Sequence, residues 1–86
     1  MSDDTDLPGL PDTPTGRYRH YKGGEYEVIG VARDSESLAP MVVYRPLYGA
    51  GDLWVRPHAM FFGMVEIDRE TRPRFSRVEP REAASR

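Results

Sequence analysis

The 86-residue sequence predicts a small, mainly all-β domain: an SH3-like antiparallel barrel of five to six short strands with one short helical turn. Three observations predict it. Between Gly16 and Val78 the apolar residues recur mostly with a period of two, the pattern of half-buried strands. Polar or glycine-bearing turns break that alternation at short intervals. The stretch Pro57 to Gly63 carries helix punctuation at both ends but has room for a single turn only. The order of long first loop, three-strand meander, short turn and last strand is that of an SH3-like barrel. An OB-fold, which has a fuller helix and longer strands, is the runner-up.

Gly16 to Tyr21 is the first strand, ended by Lys22-Gly23-Gly24. Glu25 to Arg33 is the strongest strand, rich in β-branched and aromatic residues. Gly30 inside it marks a bulge or a close backbone approach. Asp34 to Ala39 is polar and stops at Pro40; it is a loop or one helical turn capped by Asp34. Met41 to Arg45 is the third strand and Leu53 to Arg56 the fourth. After the helical turn at 57–63, Met64 to Ile67 is the fifth strand. Asp68 to Pro73 reads as a polar turn, and Arg74 to Val78 as a last strand or extended arm.

Residues 16–79 are thus one domain between two tails. Residues 1–15 carry four aspartates and three prolines and only Leu7 and Leu10 as large apolar residues beyond Met1. They cannot bury enough surface to offset ordering entropy, which predicts a disordered acidic tail. Residues 80–86 predict a frayed end. The net charge of −2 comes from the tails. From 16 to 79 there are ten basic and nine acidic residues, so the body stands at +1. Eleven of the twelve basic residues are arginine, suited to planar recognition of carboxylate, phosphate and aromatic faces, although codon bias explains the excess as well. With no cysteine, disulfide staples, thiolate metal sites and cysteine nucleophiles are excluded. An acidic start without an apolar run, and no stretch of about 20 apolar residues, predict a cytoplasmic protein that makes no membrane contact.

The functional signal is concentrated in the central hairpin. Val43-Tyr44-Arg45-Pro46 is echoed by Leu53-Trp54-Val55-Arg56-Pro57, each strand alternating and carrying one aromatic and one arginine. The simplest register turns Val42, Tyr44, Leu53 and Val55 inward and sets Arg45 opposite Trp54 on the outer face, a cation–π pair. A one-residue shift pairs Tyr44 with Trp54 instead, and the loop does not decide between them. Trp54 serves equally as a lid on the core or as a ligand platform.

Tyr18, His20 and Tyr21 beside Arg17, Arg19 and Lys22 form the densest basic–aromatic cluster. Such a cluster holds single-stranded nucleic acid, or it charges a strand edge against aggregation; the edge is the weightier reading. His20 and His58 have no metal-ligand spacing, and Ser35, Ser37 and Ser76 lack a nucleophile-elbow context. Glycines 23, 24, 49 and 51 fit turns rather than a phosphate-cradling loop. Glu66, Asp68 and Glu70 fit a solvated loop. No catalytic residue, metal site or cofactor is therefore expected. Phe61 fits a core plug, and Phe62 fits either the core or a docking patch.

Three blocks in order, Tyr18 to Val28, Val42 to Gly49 and Leu53 to Phe61, resemble the DUF1653 family of small bacterial proteins over roughly 16–75. Pro46 and His58-Ala59 depart from that family's pattern. The family is one of unknown function, so the resemblance supports the domain and implies no activity. The residues themselves favour a non-catalytic binding module for a protein or RNA partner, with a peptide segment or RNA held by Tyr21, Tyr44, Arg45, Tyr48, Trp54 and Arg56. One alternative is an enzymatic or small-molecule-binding domain using His20 and Arg56. Another is a structural subunit, monomer or weak homodimer, pairing through a strand edge or Phe62.

Overall fold

The computed structural model describes residues 9–78; residues 1–8 and 79–86, which make up much of the expected tails, lie outside the described residues. The elements run β1 (Gly16–His20), β2 (Glu25–Arg33), β3 (Pro40–Pro46), β4 (Trp54–Pro57), α1 (His58–Phe61), β5 (Met64–Ile67), β6 (Glu70–Pro73) and β7 (Phe75–Arg77). Strands β4-β3-β2-β1-β7 form one antiparallel sheet, and β5 and β6 pair as a separate hairpin. The fold is mostly β with a single helical turn, as the sequence predicts. The large sheet curls without closing, so β4 and β7 remain free edges and "barrel" describes its shape rather than its bonding.

The curl begins in β2. Val28 pairs with Tyr44 and Gly30 with Val43, leaving Ile29 as an inserted residue. This bulge puts Val28 and Val31 on one face although they are three apart, and it sharpens the local twist. An added Cβ at Gly30 would meet nothing within 4 Å, so the bulge, not a close approach, is the reason for the glycine.

The core lies on the inner face of the sheet. Tyr18, Val28, Val42, Tyr44 and Phe75 are buried there under Phe61, with Tyr26 and Phe62 packed alongside. Pro57, extended at φ −53° and ψ 137°, ends β4 and starts the turn that drops Phe61 inward. Phe61 stacks on Phe75 at 4.0 Å and meets Tyr18 and Tyr44 edge-on at 5.5 and 5.2 Å. Residues 13–15 bond to this body. The buried Tyr18 donates its hydroxyl to the Pro14 carbonyl at 2.9 Å, Arg77 donates to the Thr15 carbonyl, and the Thr13 hydroxyl meets His58 Nε2 at 3.1 Å.

Strand β6 occupies much of the stretch that reads as a polar turn. The turn proper is two residues, Asp68 at φ 52° and Arg69 at φ 68°, both left-handed as a tight hairpin requires. Glycine is the favoured residue at such a position, and none is present to signal it. Replacing Arg69, which is exposed, by glycine should relieve a left-handed side chain and stabilise the domain by about 0.5–1 kcal/mol. A thermal melt should then rise by several degrees. An unchanged or lower midpoint would show that Arg69 carries no such strain.

Candidate ligand face

Strand alternation sorts the polar residues by face. Tyr44 pairs with Trp54 and Val42 with Arg56, so the hairpin adopts the shifted register. Trp54 and Arg56 therefore lie on the inner face with Tyr44. Arg45 lies on the outer face, where Nε and Nη2 donate to Glu27 at 3.0 and 2.7 Å. The Arg45–Trp54 pair does not form. Trp54 is nonetheless 53% exposed, because β4 is the last strand and nothing beyond it in the sheet covers the ring.

The inner face continues past the core as a rim of rings. Tyr48, Tyr26, Tyr44 and Trp54 follow one another edge-on at 5.8, 5.6 and 6.4 Å. The middle of the row is covered; its ends, Tyr48 and Trp54, are open to solvent. Tyr26 and Tyr48 share a hydroxyl–hydroxyl bond of 2.9 Å. That bond, helped by burial and by the neighbouring tyrosines, pushes the Tyr26 phenol up to about 12. Arg56 is fixed at the centre: its Nε donates to the Tyr44 hydroxyl at 3.2 Å and its guanidinium lies 5.7 Å over the Phe75 ring. His20 packs edge-on against Phe75 at 4.9 Å and, tilted, against Tyr21 at 4.4 Å. Its Nδ1 accepts the Lys22 backbone N–H at 3.1 Å, so the neutral ring carries its proton on Nε2.

Charge is segregated between the faces. On the outer face Arg17 and Arg19 share Glu25 at 3.6 and 2.8 Å, and Arg45 holds Glu27. Around the inner rim, Arg56 donates to a phenol and Arg74 to the Met60 carbonyl, and no described carboxylate pairs with either or with Lys22. His20 registers this field: burial first, then Arg56, Arg74 and Lys22, hold its imidazole below the ordinary value of 6.5. The folded state thus resists the proton that the unfolded chain accepts, and stability should fall as pH drops through 6.5 and level off below the depressed folded value. Chemical denaturation between pH 8 and 5 should show this fall, and His20→Asn should flatten it. An equal slope in both proteins would remove His20 as the cause.

Of the six residues the sequence nominates, Tyr44, Tyr48, Trp54 and Arg56 come together. Tyr44 does so as a support: its ring is in the core and only its hydroxyl reaches Arg56. Tyr21 joins at one remove through His20, and Arg45 faces the opposite way. The residues missed are Tyr26, Phe75 and Arg74, which long-range strand pairing brings to the rim. Tyr26 sits opposite Tyr18 and Pro46, and Phe75 opposite His20. A cleft of about 440 Å³ opens on the far side of His20, between the end of β1, β7 and the β5–β6 hairpin; His20 lines it and Arg56 does not.

Fold and rim together define a small β domain of one curled five-stranded sheet and a two-stranded hairpin, with a helical plug and an arginine–aromatic inner edge. A family model described as a protein of unknown function, DUF1653, matches residues 16–77, and the chain belongs to that family. It is similar to the crystal structure of a DUF1653 protein from Bordetella bronchiseptica, with 33% identity and a TM-score of 0.72, covering 81% of this chain and 92% of that one. No curated protein matches the sequence.

Proposed function

We propose that the domain is a non-catalytic binding module that holds single-stranded RNA on the rim formed by Tyr48, Trp54, Arg56, Arg74 and Lys22. The observation that carries this reading is the charge segregation. Arg56, Arg74 and Lys22, paired with no described carboxylate, gather around His20 on the side of the rings, while Glu25 and Glu27 are held on the other face by Arg17, Arg19 and Arg45. Exposed rings stack on bases of any sequence, and unpaired cations meet the phosphates between them. An extended peptide would find the same rings, but it gives the unpaired cations nothing to neutralise unless it is acidic.

Trp54, the sole tryptophan, reports binding directly. Titration with eight-nucleotide oligouridylate and oligoadenylate at low salt should quench its fluorescence saturably. With three cations engaged, log K should fall with log salt with a slope of about −2. Arg56→Gln should make the slope shallower, and Arg45→Gln on the opposite face should leave it unchanged. No saturable change with either oligomer would sink the RNA reading. Saturation by an acidic peptide alone would replace it with a peptide-binding one.

A further inference from the structure

We propose that the cleft beside His20 is a phosphate monoester site, in which Arg19, Arg72 and Arg77 hold the terminal phosphate of the bound RNA strand. The inference rests on the RNA reading for its source of phosphate but on separate residues for its chemistry. Three elements converge there: β1 supplies Arg19, the β5–β6 hairpin supplies Arg72, and β7 supplies Ser76 and Arg77. Arg19 and Ser76 are direct cross-strand partners, which sets a guanidinium beside a hydroxyl. The cleft holds about 440 Å³ and, among the described residues, no carboxylate lines it. Strand β7 is also an edge, so backbone N–H groups on its outer side are unpaired in the sheet and add neutral donors.

Charge accounting points to a dianion. Arg19 shares Glu25 with Arg17, Arg72 reaches Glu70 at 3.4 Å, and Arg77 donates to the neutral Thr15 carbonyl. Four guanidiniums therefore meet two carboxylates, an excess of +2. A phosphate monoester carries close to −2 at neutral pH, whereas an internal diester or a carboxylate carries −1. Arginine offers its remaining donors in a planar fork that fits phosphate oxygens two at a time. The three arginines use one or two donors each on their present partners, which leaves N–H groups for an anion.

The test compares oligouridylate bearing a 5′-phosphate, a 3′-phosphate or neither, together with inorganic phosphate alone, on the full chain. One terminal phosphate should tighten binding about tenfold. Inorganic phosphate should shift the amide resonances of Arg72, Ser76 and Arg77 and raise the titration midpoint of His20. Arg72→Gln, at an exposed position whose loss spares the core, should abolish the tenfold gain while leaving the unphosphorylated oligomer's affinity intact. Should all three oligomers bind equally and inorganic phosphate move no resonance, the cleft proposal falls and the RNA reading stands. Should no oligomer bind while inorganic phosphate shifts those amides, the RNA source is overturned and the cleft's anion chemistry is upheld.

Discussion

Phe61→Ala is expected to remove about half of the domain's stability. The side chain is fully buried, stacks flat on Phe75 at 4.0 Å and touches the rings of Tyr18, Tyr44 and Phe62. Removing a buried phenylalanine costs about 3–5 kcal/mol in lost transfer energy and residual cavity. A domain of this size has a total stability of roughly 4–10 kcal/mol. The cavity cannot collapse easily, because the turn that carries Phe61 is held between Pro57 and Gly63. Urea unfolding followed by far-ultraviolet circular dichroism would measure the loss, and Phe61→Leu should recover much of it. Phe62, half-buried at the margin, sets the comparison. If Phe62→Ala costs as much as Phe61→Ala, the single plug is the wrong account of the core.

Gly63→Ala is expected to cost about 1–3 kcal/mol, as overpacking does where neighbours cannot move aside. A Cβ at Gly63 would lie 2.9 Å from the Ala59 carbonyl oxygen and 3.5 Å from that of Met60. Both are backbone atoms, so relief requires shifting the helical turn. That turn is also tied down, since the Gly63 N–H donates to Met60 and its carbonyl accepts the Arg74 N–H at 2.9 Å. Displacing Gly63 therefore disturbs the plug and the start of β7 together. Gly30→Ala is the matched control, because a Cβ there meets empty space; its effect should stay within about 0.5 kcal/mol. Thermal melts of the two variants with coincident midpoints would refute the steric argument.

Much of the fold is legible in the sequence because its signals are local. The bounds of β2 and β5 are those the alternation gives, and β1, β3 and β4 lie within one residue of theirs. The plug is legible in Pro57, Phe61 and Gly63. Strand β6 is not, because all four of its residues are exposed and show no alternation; its pairing to β5 depends on backbone bonds and an unsignalled turn. The rim is legible in part. Its residue types stand in the central hairpin, but their sides depend on a register set across the loop from Leu47 to Leu53. One step in that register leaves Arg45 on the outer face and turns Trp54 and Arg56 onto the inner one. Tyr26, Phe75 and Arg74 reach the rim through pairings whose partners lie far apart in the chain, a distance over which composition says nothing.

The open edge has a dynamic consequence. Strand β4 has four residues and one neighbouring strand, so its amides exchange with solvent at low free-energy cost, well below that of global unfolding. Trp54 and Arg56 ride on this strand, while Tyr26 and His20 ride on the better-bonded interior of the sheet. An occupant spanning the rim clasps this edge strand to the interior ones. Its arrival should register as hydrogen-exchange protection concentrated in residues 54–57, even where the average conformation stays the same.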